Sequence, residues 1–200
     1  MNRIDVLDVL GRLRRGTPMV IGPGLANYPI AAKADDPLTI YNMDMPYATP
    51  MALGIALGRP GGKVVAVEGD GSLLAGPGVL TTIARYRPDN LIVLVLDNES
   101  YLSTGSGRSP SATAGGADIE QLGRAAGLTQ TRTLTDLAGA RAALEQAFSQ
   151  PGPWLIVAKV DTGDRDARSF GPLPVDVFES CLRFRRSALG EPPLLRDSRP

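Results

Sequence analysis

Four short, almost wholly apolar runs most constrain what this chain can fold into. Met19-Val20-Ile21, Lys63 to Val67, Leu91 to Leu96 and Trp154 to Val160 each read as a buried strand. Helical patterns separate them. Ile4, Leu7, Leu10 and Leu13 recur at helical spacing over residues 3–15, and Gly16 stops that helix. Further helices are expected over 26–34, 48–57, 76–86, 117–126, 135–148 and 175–189, with 41–47 as a loop. Ala52, Gly54 and Ala56 suit a helix lying close against a flat surface. Short apolar strands alternating with helices imply an α/β fold, a doubly wound, mostly parallel sheet with helices on both faces.

Composition narrows the chemistry. The 200 residues fit one domain, expected over 1–190, with 191–200 as a flexible tail. Lys+Arg and Asp+Glu both number 21, so there is no electrostatic case for nucleic acid or an anionic membrane. The single cysteine, Cys181, excludes an internal disulfide, a Cys-based zinc site and an iron–sulfur cluster held by this chain alone. Cys181 falls in a helical pattern and is expected to be a small buried residue. The absence of histidine removes Ser-His-Asp and Cys-His catalysis. Leu91 to Leu96 is far below the ~20 residues of a membrane helix. Arg3, Asp5 and Asp8 interrupt any apolar leader. A cytoplasmic protein is the expectation, and any catalysis would draw its reactive group from a cofactor or partner.

Ligands of open parallel sheets bind at the carboxyl ends of the strands. Gly22-Pro23-Gly24, Gly69-Asp70-Gly71-Ser72 and Asp97-Asn98-Glu99-Ser100 fall there, although each also suits a plain strand-exit turn. Common nucleotide fingerprints fail. Asn27 and Leu74 stand where a third dinucleotide glycine belongs, and Gly62-Lys63 lacks the rest of a Walker loop. Residues 99–116, rich in Gly, Ser and Thr, are long enough for a functional loop. Asp70 and Asn98 leave consecutive strands, with 26 residues between Gly71 and Asn98. A right-handed crossover brings both to one edge of the sheet. Two side-chain oxygens facing one point suit Mg²⁺, which prefers oxygen ligands and shares them with phosphates. Gly71 lets the backbone approach an anion, and Ser72 adds a hydroxyl.

Gly69-Asp70-Gly71-Ser72 followed by Asn98 resembles the thiamine diphosphate signature. Glu68 to Leu74, Leu91 to Asn98 and Tyr101-Leu-Ser-Thr-Gly are similar to sulfopyruvate decarboxylase β-subunits and to the C-terminal half of phosphonopyruvate decarboxylase. The similarity runs over about residues 2 to 186. It implies a thiamine diphosphate-binding fold with two cofactors, thiamine diphosphate and Mg²⁺. Asp70 and Asn98 would ligate the metal by side chain, and Ser100 by its carbonyl. Gly69, Gly71 and Ser72 would hold the diphosphate, with Gly24 and Asn27 lining it. Met45 matches the wedge that bends the cofactor, and the Met43 carbonyl would meet its amino group. Tyr101 and Thr104 complete the expected cofactor contacts.

Plainer roles stand beside these. Met43 and Met45 could fill core space, Ser103 and Thr104 could stabilise a turn, and Glu68 and Glu99 read as solvated or helix-start carboxylates. Two departures matter: Pro46 and Met43 replace family glycines. Pro46 follows the wedge position, and proline restricts the residue before it, so Met45 is expected in extended backbone. The resemblance also implies that the domain carrying the activating glutamate lies on a partner, a pyrimidine-binding subunit, in a heterotetramer or larger. The implied activity is decarboxylation of a 2-oxo acid. An acetolactate synthase-like carboligase and a non-catalytic cofactor-binding subunit remain as alternatives.

Overall fold

A computed structural model of the chain describes residues 1–102, 109–162 and 167–192. The expected tail is therefore mostly outside the described residues, as are Ser103 and Thr104. The main sheet uses β1 (Met19–Ile21), β2 (Thr39–Ile40), β3 (Val64–Gly69), β4 (Leu91–Asp97), β7 (Gln130–Leu134) and β8 (Trp154–Lys159). Its order is β2-β1-β3-β4-β8-β7, and every pairing is parallel. β5 (Ser100–Tyr101) and β6 (Ser109–Pro110) form a small antiparallel pair of their own.

The helices are α1 (Arg3–Arg14), α2 (Asn27–Lys33), α3 (Ala48–Gly58), α4 (Asp70–Leu74), α5 (Val79–Tyr86), α6 (Ile119–Ala125), α7 (Leu137–Ser149) and α8 (Val177–Leu189). Side chains alternate across a strand, so neighbouring strand residues feed two separate cores. Val65, Val67, Ile92 and Leu94 pack against α1, α2 and α7. Val64, Ala66, Val93 and Val95 pack against α3, α4, α5, α6 and α8. Parallel strands covered on both faces have to be apolar throughout, and all seven residues of β4 are buried. The sheet is doubly wound, as the alternation of runs and helices implies.

Helix boundaries follow side-chain capping. Asn2 caps α1 by accepting from the Ile4 N–H at 2.8 Å. Asp118, Asp136 and Asp176 do the same for α6, α7 and α8. Most helix ends shift by one or two residues from the expectation, and one helix differs more. The helix placed over 76–86 begins at Val79, and a separate short helix, α4, begins at Asp70 itself. Gly76-Pro77-Gly78 divides them, because proline and glycine interrupt helical hydrogen bonding.

The chain leaves β1 toward the β2 edge and leaves β3 toward β4, so the winding reverses between β1 and β3. A crevice forms where loops at the carboxyl ends of such strands diverge. Among the described residues no helix is long and apolar enough to cross a membrane.

Candidate active site

A cleft of about 400 Å³ opens at this switch point. Gly24 after β1, Gly69, Asp70, Gly71 and Ser72 at the end of β3, and Asn98, Ser100 and Tyr101 after β4 all line it, together with Met45. The strand exits singled out in the sequence thus share one cavity. A second cavity of similar volume lies against the edge strand β7, lined by Glu120, Arg124 and Trp154. It sits away from the strand ends where the candidate residues gather.

Gly24 adopts φ +112°, a conformation that L side chains rarely take. Asn27, expected to line an anion, is engaged otherwise. Its amide donates to the carbonyls of Gly22 and Gly24, both at 2.9 Å, and its Oδ1 accepts from the Asn42 N–H. It shapes the loop after β1 from a fully buried position.

Asp70 is 2% exposed. Its Oδ2 accepts from Ser111 Oγ and lies 2.9 Å from Thr113 Oγ1. Burial pushes the Asp70 carboxyl above its ordinary range, the bonds from Ser111 and Thr113 oppose this, and the nearby Asp97 charge adds to it. Thr113 Oγ1 also lies 2.8 Å from Asp97 Oδ1, and Lys159 Nζ pairs with Asp97 Oδ2 at 2.9 Å. Burial works against the Lys159 charge, but Glu99 and Asp97 outweigh it and raise its pKa. The buried Asn98 accepts from the Ser100 N–H at 3.2 Å, which turns the chain out of β4.

Glu68 corrects one expectation. It is 1% exposed, not solvated. Its Oε1 accepts from the Thr49 N–H at 2.9 Å and from Thr49 Oγ1 at 3.1 Å, so it satisfies the first turn of α3 from the end of β3. Burial raises its pKa, against the pull of Ser72 and Thr49. Ser72 Oγ lies near this carboxyl yet makes no hydrogen bond of ordinary geometry, and neither does Glu68 Oε2, among the described residues. Glu99 is the exposed carboxylate, paired with Lys159 at 2.8 Å.

Met45 is 39% exposed at the cleft, so it is not core filler. It sits in a turn closed by the Tyr47 N–H donating to Asp44 O at 2.7 Å, with Pro46 following through a cis peptide bond. Met43 does pack against the α3-side core, and its N–H donates to Ile21 O. It does not line the cleft. Cys181 is half-buried, not fully buried, and burial raises its thiol pKa. Ser111 and Thr113, which the sequence did not single out, are the side chains that meet Asp70.

The family model for the thiamine pyrophosphate enzyme C-terminal TPP binding domain matches residues 26–158. The chain belongs to this family. The TPP binding domain is 32% identical over 185 residues to phosphonopyruvate decarboxylase of Streptomyces viridochromogenes, covering 92% of the chain and 45% of that protein. It is 29% identical over 191 residues to the sulfopyruvate decarboxylase subunit beta of Methanothermobacter thermautotrophicus, covering 95% and 97%. The chain thus spans about half of one relative and nearly all of the other. A solved thiamine diphosphate-dependent 4-hydroxybenzoylformate decarboxylase of Rhodococcus jostii shares the fold. Its TM-score is 0.62 at 18% identity, over 80% of this chain and 33% of that one.

Proposed function

We propose that this domain binds the diphosphate of thiamine diphosphate through Mg²⁺ and forms part of a 2-oxo acid decarboxylase. The observation that carries the reading is the meeting of Asp70, Ser72 and Asn98 in one cleft at the switch point of a TPP binding domain. The residues fit the group. Ser72 offers a buried hydroxyl beside Glu68 that makes no hydrogen bond of ordinary geometry among the described residues, a donor suited to an anion. Asp70 has no cation paired with it among the described residues. Those residues also contain no cluster of three or more His, Cys, Asp or Glu. A site with one carboxylate, one amide and a carbonyl suits Mg²⁺ that takes its other ligands from phosphate and water.

Asp70 and Asn98 hold the metal by side chain, and Ser100 by its carbonyl. Gly69, Gly71 and Ser72 receive the diphosphate, beside Gly24 and Tyr101. Met45 would support the cofactor from the cleft, and Met43 would offer its carbonyl to the aminopyrimidine. Thr104, outside the described residues, completes the set. When bound, thiamine diphosphate supplies the electron sink that lets a 2-oxo acid lose carbon dioxide. This chain anchors and orients it. A pyrimidine-binding subunit brings the activating glutamate, in a heterotetramer or larger in the cytoplasm. A relative of matching length named as a subunit beta supports that division.

The test is capture of the tagged chain from its native cells, with assay of the eluate on sulfopyruvate, phosphonopyruvate and simple 2-oxo acids. Carbon dioxide release with a co-captured second subunit is expected. A condensed hydroxyketone product would assign carboligation instead. Bound cofactor without turnover of any 2-oxo acid would leave a non-catalytic subunit.

A further inference from the structure

We propose that Thr113 is a positioning residue whose hydroxyl ties Asp70 to Asp97 and thereby sets the spacing of the two metal-bearing strand ends. The inference rests on the cofactor reading above. Asp70 begins α4 directly after β3, Asp97 closes β4, and Asn98 follows it. Thr113 Oγ1 lies 2.9 Å from Asp70 Oδ2 and 2.8 Å from Asp97 Oδ1, in a side chain 5% exposed. It is the one group seen bridging the two carboxylates directly among the described residues.

Thr113 arrives from a sequence-distant segment. β6 pairs back onto β5, the Ser111 N–H donates to Glu99 O at 3.1 Å, and a 3-10 turn, Ala112–Gly115, follows. The segment that begins at Ser100 therefore returns to fasten Asp70.

Hydrogen counting shows what the bridge requires. Ser111 Oγ contacts Asp70 Oδ2 and lies 2.9 Å from Thr113 Oγ1. Two hydroxyl protons are shared among these two contacts and the two from Thr113 to the aspartates, so Thr113 donates to one aspartate at a time. Lys159 meets the Asp97 charge at 2.9 Å. The Asp70 charge has no such partner among the described residues. A cation on the remaining Asp70 oxygen would reduce the charge repulsion between Asp70 and Asp97, while Thr113 keeps the two carboxylates at a fixed separation. Ligating carboxylates are in general themselves hydrogen-bonded, and losing such a partner weakens metal binding about 10–100-fold.

The test uses the full chain assembled with its co-captured partner subunit and thiamine diphosphate, titrated with Mn²⁺ and followed by electron paramagnetic resonance. Thr113→Val is expected to weaken Mn²⁺ binding by about 10–100-fold, and Thr113→Ser to restore it. Excess Mg²⁺ should recover cofactor binding in the valine variant, which a general packing defect would not allow. Should Thr113→Val fail to fold, Thr113→Ala carries the same expectation. Wild-type affinity in the folded valine or alanine variant would overturn the proposal, and so would equal weakness in the serine variant. Failure of the wild type, assembled with its partner subunit, to bind cofactor and Mn²⁺ would overturn the cofactor reading and this inference with it.

Discussion

The ring of Tyr101 lies directly over Gly71. A methyl group added to Gly71 would fall 2.6 Å from the ring Cζ and 2.9 Å from its hydroxyl, with Cε1 closer still. Tyr101 is half-buried and meets this spot with the far end of its side chain. Gly71→Ala should therefore push the ring aside at a cost of about 1 kcal/mol or less, below the overpacking range of a rigid core. It should weaken thiamine diphosphate binding at least about tenfold, which is about 1.4 kcal/mol, because the methyl occupies the approach to the backbone. Urea unfolding and calorimetric titration read the two effects. Unchanged cofactor affinity would remove Gly71 from the diphosphate contact.

Ser72 separates folding from binding. Ser72 Oγ is buried and makes no hydrogen bond of ordinary geometry among the described residues, although it lies close enough to the Glu68 carboxyl to favour its charge. Ser72→Ala should change the stability of the cofactor-free protein by less than about 1 kcal/mol, yet bind thiamine diphosphate more weakly. Thermal melts with and without cofactor test this. Loss of stability without cofactor would show that the hydroxyl serves the fold.

Glu68 makes stability depend on pH with a definite sign. Burial raises its folded pKa above the unfolded value. Below the unfolded value both states are protonated and the group costs nothing. As pH rises from there through the raised folded pKa, the folded state loses stability, and the full penalty applies above it. Glu68→Gln keeps an acceptor for Thr49 and cannot ionise. Its melting temperature relative to wild type should rise with pH across that window and then level off. A difference that stays flat, or that falls with pH, would contradict the assignment.

Leu94 provides the contrast. It is fully buried in β4, packed against the α1, α2 and α7 face. Leu94→Ala should cost about 2–5 kcal/mol while leaving cofactor affinity near wild type at temperatures where the variant is folded. Chemical denaturation beside calorimetry checks it. A large loss of affinity in the folded variant would tie this part of the core to the site.

The sheet was legible where strands are buried on both faces. β1, β3, β4 and β8 are almost continuously apolar and stood out by that alone. β7 escaped because Gln130-Thr131-Arg132-Thr133-Leu134 lies at the sheet edge, where only part of a strand has to be apolar. Its two threonines were the available signal. The two-residue β2 is too short for any pattern. Asp70 and Asn98 were legible because a parallel crossover fixes which ends meet. Glu68 was not, because the partner that draws it inward, Thr49, lies 19 residues away in sequence. Ser111 and Thr113 were hidden for the same reason. A hydroxyl in a Gly- and Ser-rich loop does not announce a carboxylate 41 or 43 residues upstream.

The most direct measurement is calorimetric titration of the chain, assembled with its partner subunit, with thiamine diphosphate in Mg²⁺, beside the same titration of Asp70→Ala. Saturable, Mg²⁺-dependent binding by the wild type, with at least about a hundredfold loss in the variant (about 2.7 kcal/mol), is the predicted result. Equal binding by both proteins, or binding indifferent to Mg²⁺, would contradict the placement of the metal and diphosphate at the β3 and β4 strand ends.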